Sequence, residues 1–145
     1  VEKGVYLVPT LVAPYFIVEN GVEAGIPKQA VDKSEMVMGD HMESFRKAHK
    51  AGVKIAMGTD SGTPFNPHSS APSELKLMVE NGMTPMESIV SATKTASELL
   101  GIDENYGTLE EGKFADFLVL DENPLDNLDT LFNINTVYKL GKVAK

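Results

Sequence analysis

The stretch GVKIAMGTDSG, residues 52–62, is an apolar run that ends at an acid among glycine and small hydroxyl residues. A short apolar run bounded by glycine predicts a buried strand, here over residues 53–57. In α/β folds the carboxyl ends of such strands hold metals and substrates, so Asp60 is the first candidate for a catalytic role. Asp followed by Ser and Gly is also ordinary turn chemistry, so a purely structural role for Asp60 stays open.

The composition of the chain sets limits on the class of protein. Its 145 residues are 42% hydrophobic, which is enough for one ordinary core and indicates a soluble globular domain. The formal net charge of -8, with no basic stripe, argues against a nucleic-acid partner. Because the chain has no Cys, a metal would need His, carboxylate or water ligands.

The sequence gives little information on cellular location. It has no apolar run of membrane-spanning length and no signal-like opening, so a cytoplasmic location is the default expectation, and a processed exported protein would look alike. The chain opens at Val1 with a pattern typical of a helix tail that turns through Gly4 into a strand. We therefore expect it to be a piece of a longer protein.

The residues before the opening stretch predict a strand followed by a long helix. An apolar run over residues 5–12, interrupted by Pro9, predicts a strand that ends near this proline. Apolar positions recur at helical spacing over residues 27–51, and Gly52 follows them. This pattern predicts one amphipathic helix, with Gly39 as a candidate break.

The residues after the stretch predict two more helices and then short strands. The helices are expected over residues 72–80 and 85–100, and the second should begin with a capping box at Thr84. Beyond them, residues 114–120 predict a strand, and residues 137–143 predict a hairpin or a bent strand about Gly141. This order is typical of the end of a parallel α/β domain followed by a small all-β unit.

Four segments in order carry a resemblance to a known family. They are GVKIAMGTDSG (52–62), NPHSSAPSELKLMVENGMTPMESIVSATKTASELLG (66–101), GTLEEGKFADFLVLDENPLDNL (107–128) and VYKLGK (137–142). The series resembles the C-terminal part of the metal-dependent amidohydrolase superfamily. Within that superfamily it is most similar to the imidazolonepropionase-like and Xaa-Pro dipeptidase (prolidase-like) or acyl-amino-acid carboxypeptidase group.

The resemblance implies an α/β fold, namely the C-terminal portion of a (β/α)8 TIM-type barrel with part of a small β-sandwich. Residues 1–104 would form the partial barrel, and residues 105–145 would form the C-terminal part of the sandwich. Within the barrel, residues 5–12 would correspond to strand seven and residues 53–60 to strand eight.

The resemblance also implies that Asp60 is both a metal ligand and a catalytic residue. A divalent metal, expected to be zinc, lowers the pKa of a bound water, and a carboxylate beside it can pass the proton to the departing amine. The family's other ligands, which are paired histidines, a lysine and two single histidines, belong to strands that precede this region. Because a catalytic metal needs about three protein ligands, we expect this chain alone to be inactive and to bind no stoichiometric metal.

Several other polar residues are weaker candidates. His68 lies in the loop after the acid, where relatives often have a histidine, and is a candidate substrate-binding residue, with loop packing or helix capping as the alternative. His41 and His49 are interpreted as solvated residues of the long helix, far from the strand end. Ser61 and Thr63 are interpreted as ordinary loop residues.

Two residues after the first strand and the methionines complete the candidates. Thr10 would point into or beside the same pocket in a complete barrel, whereas Tyr15 is interpreted as helix packing. Most of the methionines are interpreted as adaptable core filling rather than a metal or cofactor site. They are Met36, Met38, Met42, Met78, Met83 and Met86.

The leading functional hypothesis is a metal-dependent hydrolase of amide bonds that acts on a dipeptide or an N-acyl amino acid. One alternative is a cyclic amidohydrolase or deaminase of the same superfamily. Another is a non-catalytic assembly unit, because two barrel strands and half a sandwich leave unpaired edges and apolar faces. We accordingly expect a small-molecule or dipeptide substrate, a homo-oligomer or complementing chain, and no nucleic-acid or membrane partner.

Overall fold

Two small sheets and five helices, joined by 3-10 turns and loops, make up residues 1–144, the part of the chain that the computed structural model describes. No helix within this range is long and apolar enough to cross a lipid bilayer. The elements, in order, are β1 (Tyr6–Leu7), α1 (Val12–Asn20), α2 (Lys28–Lys50), β2 (Lys54–Ile55), α3 (Ala71–Glu80), α4 (Pro85–Ala92), α5 (Lys94–Leu100), β3 (Phe117–Val119), β4 (Thr136–Lys139) and β5 (Lys142–Val143).

Strands β1 and β2 are parallel neighbours, with Leu7 opposite Ile55. The amide of Ala56 donates to the Leu7 carbonyl at 3.0 Å and extends the pairing by one bond. Parallel neighbours need a long crossover connection, and α1 and α2 supply it. The sheet is therefore parallel and flanked by helices, which confirms the prediction of a mixed α/β fold.

Both parallel strands are shorter than the sequence predicts. Pro9 has no amide hydrogen for a sheet ladder, and β1 ends at Leu7, in agreement with a strand that ends near this proline; helix α1 begins at Val12, so the apolar run over residues 5–12 is strand only in part. In the second strand, the amide of Met57 donates to the Ser91 carbonyl at 3.0 Å instead of to β1. The chain consequently leaves the sheet after Ala56, before it reaches Asp60.

The core lies between β2 and the helices around it. Phe45 of α2 is 1% exposed, and Ile55 of β2 packs in the same cluster. Helix α2 runs without a break through Gly39, which has normal backbone angles and no neighbour close to it. The full buried cluster is Leu11, Val12, Phe45, Ile55, Leu77, Met78 and Met83.

The predicted helix start at Thr84 is confirmed, but the single helix predicted over residues 85–100 is interrupted. The Thr84 hydroxyl accepts from the Glu87 amide at 3.2 Å, and the Glu87 carboxylate accepts from the Thr84 amide at 2.7 Å. At Thr93 the chain leaves helical geometry, with φ -120° and ψ -87°. The Thr93 hydroxyl donates back to the Ile89 carbonyl at 2.8 Å, a contact that bends helices and divides this one into α4 and α5.

The C-terminal residues form an antiparallel sheet in the order β3, β4, β5. The rings of Phe117 and Tyr138 stack across it with centroids 4.5 Å apart. Leu140 and Gly141 both have positive φ, as a two-residue hairpin turn requires, so the predicted hairpin is confirmed. The 3-10 turn Leu128–Phe132 packs on α3 and joins this sheet to the helices.

Candidate functional site

Asp60 lies five residues beyond the end of β2, in the loop that leaves the sheet edge. Its side chain is exposed and its φ is 52°, which is unusual for a residue other than glycine. The hydrogen bonds of Asp60 within residues 1–144 all involve its main-chain carbonyl, which accepts from Thr63 and Asn66. Its exposed carboxylate makes no hydrogen bond or ion pair to the described residues.

Asn66 organises the loop around Asp60 and was not singled out from the sequence. Its side chain is 2% exposed, and Nδ2 donates to the Thr59 carbonyl at 2.5 Å, the Asp60 carbonyl at 3.2 Å and the Thr63 hydroxyl at 3.1 Å. The main-chain carbonyl of Asn66 accepts from the Gly62 amide at 3.0 Å. The signal that could have identified it is the Asn-Pro pair closing the loop, since Asn amides commonly bind turn backbones.

Ser61 and Thr63 belong to the same network. The hydroxyl groups of Thr59 and Ser61 lie 2.7 Å apart, and the Thr63 hydroxyl donates to the Asp60 carbonyl at 3.2 Å. These contacts are internal to the loop, as the interpretation of Ser61 and Thr63 as loop residues expects.

Thr10 lies beyond β1, at the same edge of the sheet as residues 56–67, the loop that contains Asp60 and is called the Asp60 loop below. Because β1 and β2 are parallel neighbours, the segments that follow them leave from the same edge. Thr10 has a φ of 48°, so both loops carry a non-glycine residue in the left-handed region. Such outliers cluster at functional sites. That Thr10 contacts a substrate stays a prediction.

Glu74 of α3 is fully buried and holds the segment after β1. Its carboxylate accepts from the Leu11 amide at 2.9 Å and from the Val12 amide at 2.7 Å. Burial raises the pKa of Glu74 to about 7, against the opposing effect of these two amide donors. A role for Glu74 was not predicted from the sequence, although helical spacing puts this residue on the same face of α3 as the buried Met78.

The histidines of α2 are not simply solvated. His41 is half-buried and its Nε2 lies 2.7 Å from the Pro9 carbonyl, so the interpretation of His41 as a solvated side chain is wrong. His49 stacks on Phe45 with centroids 6.4 Å apart, and its Nε2 lies 3.5 Å from a Glu87 oxygen. A helix of this length brings its inward-facing histidines against neighbouring elements, which a one-dimensional pattern does not reveal.

His68 begins the 3-10 turn His68–Ser70 and is exposed. It lines an apolar groove of about 1110 Å³ between helices α3 to α5 and the C-terminal sheet, together with Met57, Phe65, Leu100 and Phe132. Asp60 does not line this groove, so the structure does not bring Asp60 and His68 into one cavity. A substrate-binding role for His68 stays a prediction.

The remaining weaker candidates divide between core and surface. Tyr15 packs against the hydrophobic core, and its ring meets Phe16 edge to face at 5.8 Å, which confirms helix packing. Met78 is buried as predicted, but Met36 is 80% exposed, so core filling is wrong for that residue.

Asp60 is the candidate metal ligand that the sequence predicts, and the described residues supply no cluster around it. Residues 1–144 contain no group of three or more His, Cys, Asp or Glu side chains arranged to hold a metal ion. The exposed carboxylate of Asp60 has the donor chemistry that a divalent metal requires. Catalytic zinc sites use about three protein ligands, so a complete site needs ligands from outside these residues.

Comparison with known proteins gives a consistent result along the whole described range. The profile of the amidohydrolase family matches residues 1–144. The chain is 36% identical to Aspergillus niger ochratoxinase over 150 residues, which cover 99% of this chain and 30% of that protein. It is 33% identical to an imidazolonepropionase from Fusobacterium nucleatum over 113 residues, which cover 72% of this chain and 26% of that protein.

Solved structures give the same picture. A crystal structure of a Xaa-Pro dipeptidase with methionine bound in its active site superposes with a TM-score of 0.88 at 37% identity, covering 99% of this chain and 35% of that one. The crystal structure of A. niger ochratoxinase superposes with a TM-score of 0.80 at 35% identity, covering 99% of this chain and 32% of that one. The chain thus spans about a third of the length of these relatives.

Proposed function

The chain belongs to the amidohydrolase family, and from this premise we propose that the intact protein is a metal-dependent hydrolase of amide C–N bonds. Its proposed substrates are dipeptides or N-acyl amino acids. Similarity to a Xaa-Pro dipeptidase and to ochratoxinase, at 37% and 36% identity, supports this class. The proposal concerns the intact protein because this chain covers only about a third of those relatives.

The observation that carries the proposal is the Asp60 carboxylate at the edge of the parallel sheet. In barrels of this class the active site is built from the loops that follow the strands. Asp60 lies in such a loop, its main-chain carbonyl accepts from Asn66, and its carboxylate makes no hydrogen bond or ion pair to the other described residues. A rigid backbone with an uncommitted carboxylate is what a ligand or proton carrier needs.

The proposed mechanism assigns two tasks to Asp60. When bound, a divalent metal, proposed to be zinc, polarises the scissile carbonyl and lowers the pKa of a water. Asp60 would hold the metal through its carboxylate. The same carboxylate would accept a proton from the attacking water and donate it to the departing amine nitrogen, so the proton taken in the first half of the reaction is returned in the second.

We also propose an assignment of the fold. In this assignment β1 and β2 belong to barrel strands seven and eight, residues 1–104 to a partial barrel, and residues 105–145 to the C-terminal part of a β-sandwich. The support is the parallel pairing of β1 with β2 and the change to an antiparallel sheet at β3.

The proposed partners follow from the open edges of the parallel sheet. Within the described residues, β1 and β2 pair only with each other, whereas parallel sheets are normally buried and continuous. Val5 and Val8, which flank β1, are 59% and 43% exposed. We propose that residues outside these 145, in the same polypeptide or in another copy, cover them.

A second candidate is hydrolysis of a cyclic amide. Similarity to an imidazolonepropionase at 33% identity favours it, although it covers 72% of this chain compared with 99% for ochratoxinase. Both candidates use the same carboxylate on different electrophiles. A substrate panel separates them, because the two reactions give an amine or a ring-opened product.

The test compares Asp60→Asn with the wild-type intact protein, using Asp103→Asn as a control that removes an equally exposed acid. Asp60→Asn is expected to lower kcat/KM for dipeptides and N-acyl amino acids at least about 100-fold, since it removes a proton carrier. It should also reduce bound metal per protein. Undiminished turnover in Asp60→Asn, with Asp103→Asn also active, would rule out the assignment.

A further inference from the structure

The segment that leaves β1 is held from two sides by helices distant in sequence. The Pro9 carbonyl accepts from His41 Nε2 of α2 at 2.7 Å. The amides of Leu11 and Val12 donate to the two oxygens of Glu74, from α3. A carbonyl oxygen can only accept, so His41 Nε2 must carry its proton.

Thr10 lies between these two attachments. Its φ of 48° puts a β-branched residue in the left-handed region, which is unfavourable for such a residue. Such a conformation persists only where the surroundings determine it fully. The bonds at Pro9, Leu11 and Val12 fix the residues on both sides, and the Thr10 carbonyl accepts from the Ala13 amide at 3.3 Å.

A helix start normally uses a local cap, and here it does not. The N-cap of α1 is Leu11, which has no side-chain acceptor. An N-cap side chain accepts from the amides two or three residues further on, so the Leu11 and Val12 amides need an acceptor from another part of the chain. The fold instead uses Glu74, which is 0% exposed and 62 residues from Val12, although burying a carboxylate is unfavourable. The distant acceptor couples the position of the segment to α3, which a local cap would not do.

We propose that Glu74 and His41 are positioning residues that hold Thr10 at the sheet edge so that its hydroxyl contacts the substrate beside Asp60. This inference rests on the proposed hydrolase function. A hydroxyl can donate to an oxygen of the substrate, and dipeptides and N-acyl amino acids offer both carbonyl and carboxylate oxygens. Glu74 and His41 touch the main chain of this segment, so they act through Thr10.

The first experiment measures the attachment itself and needs no turnover. Amide hydrogen exchange at Leu11 and Val12 is compared in the intact wild type, in Glu74→Gln and in Glu80→Gln, which alters an exposed glutamate at the end of the same helix. Glu74→Gln places an amide NH2 against a donor, so exchange at these two positions should rise at least about tenfold. Exchange in Glu80→Gln should match the wild type. Unchanged exchange in Glu74→Gln would overturn the proposal.

The second experiment is a double-mutant cycle on kcat/KM. With Thr10 present, Glu74→Gln should lower kcat/KM about 10- to 100-fold, the effect of misplacing a contact group by about 1 Å. In a Thr10→Ala background the same change should cost less than about threefold, because the group it positions is gone. Equal losses in both backgrounds would overturn the proposal, since a purely structural role predicts them.

Two substitutions of His41, one that keeps a hydrogen-bond donor and one that removes it, test the contact with the Pro9 carbonyl. His41→Gln keeps a nitrogen donor and should retain kcat/KM within about threefold, whereas His41→Phe should match the loss in Glu74→Gln. Equal activity of the two variants would contradict the role of the Pro9 contact. If the wild-type protein hydrolyses no amide, the proposed function fails, and the exchange result alone then decides whether the attachment exists.

Discussion

Replacing Asn66 by Asp tests how the Asp60 loop is held, because it changes one NH2 group to an oxygen with almost no change in shape. Nδ2 has two hydrogens, which are shared among the Thr59 and Asp60 carbonyls and the Thr63 hydroxyl, and both N–H donors are lost. At about 1 kcal/mol per N–H donor the loss is about 2 kcal/mol, and the new buried oxygen that faces the two carbonyls adds about 1 kcal/mol or more, which gives a total of about 3 kcal/mol.

This loss should appear in the loop more than in global stability. The loop is largely exposed apart from Asn66, so it can open without unfolding the core, and about 3 kcal/mol changes the open fraction by about two orders of magnitude. Steady-state kinetics of the intact protein should show kcat/KM reduced about 100-fold. Asn133→Asp, at an exposed position, is the control and should be neutral. A folded Asn66→Asp protein with wild-type activity would show that the bonds from Asn66 Nδ2 are not needed to hold the Asp60 loop for catalysis.

Three further predictions concern stability of the intact protein, measured by urea unfolding. Gly107→Ala should cost more than about 3 kcal/mol, because its Cβ would lie 2.1 Å from Ser97 Oγ at a φ of 91°, whereas Gly39→Ala, with open space, should be neutral or stabilising. Thr84→Ala should cost about 1 kcal/mol through loss of the capping box. The pKa of Glu74 is raised to about 7 in the folded state from 4.5, so folded protein binds this proton more tightly, and stability should fall by about 3 kcal/mol as pH rises from 4.5 to 7. Glu74→Gln should lack that slope; an identical pH profile in the variant would show that the slope has another source.

The elements that were predicted correctly are those whose formation depends on residues close to one another in the sequence. Helix α3 and the start of α4 follow from apolar spacing and from the Thr84 capping box, and the hairpin at Gly141 follows from turn chemistry. The strand ends were predicted poorly, because the Met57 amide is taken by Ser91, a residue 34 positions away in the printed sequence. A local sequence pattern does not reveal that a distant carbonyl accepts the amide that would otherwise continue the strand pairing.

The residues of the candidate site also differ in whether the sequence could indicate them. Asp60 could be found from the sequence because an acid after an apolar run has a local signature. Glu74 and His41 could not, since their partners lie 62 or 63 and 32 residues away and both residues look like ordinary members of amphipathic helices. Asn66 is intermediate, because the Asn-Pro pair marks a turn but not which carbonyls the amide reaches.

The most direct measurement is the position of the metal in crystals of the intact protein, located by anomalous diffraction at the zinc edge. We expect a peak about 2.0–2.2 Å from a carboxylate oxygen of Asp60, with further ligands from residues outside this chain. A fully occupied metal bound elsewhere, with the Asp60 carboxylate beyond ligand distance, would contradict the assignment of Asp60 as metal ligand and proton carrier.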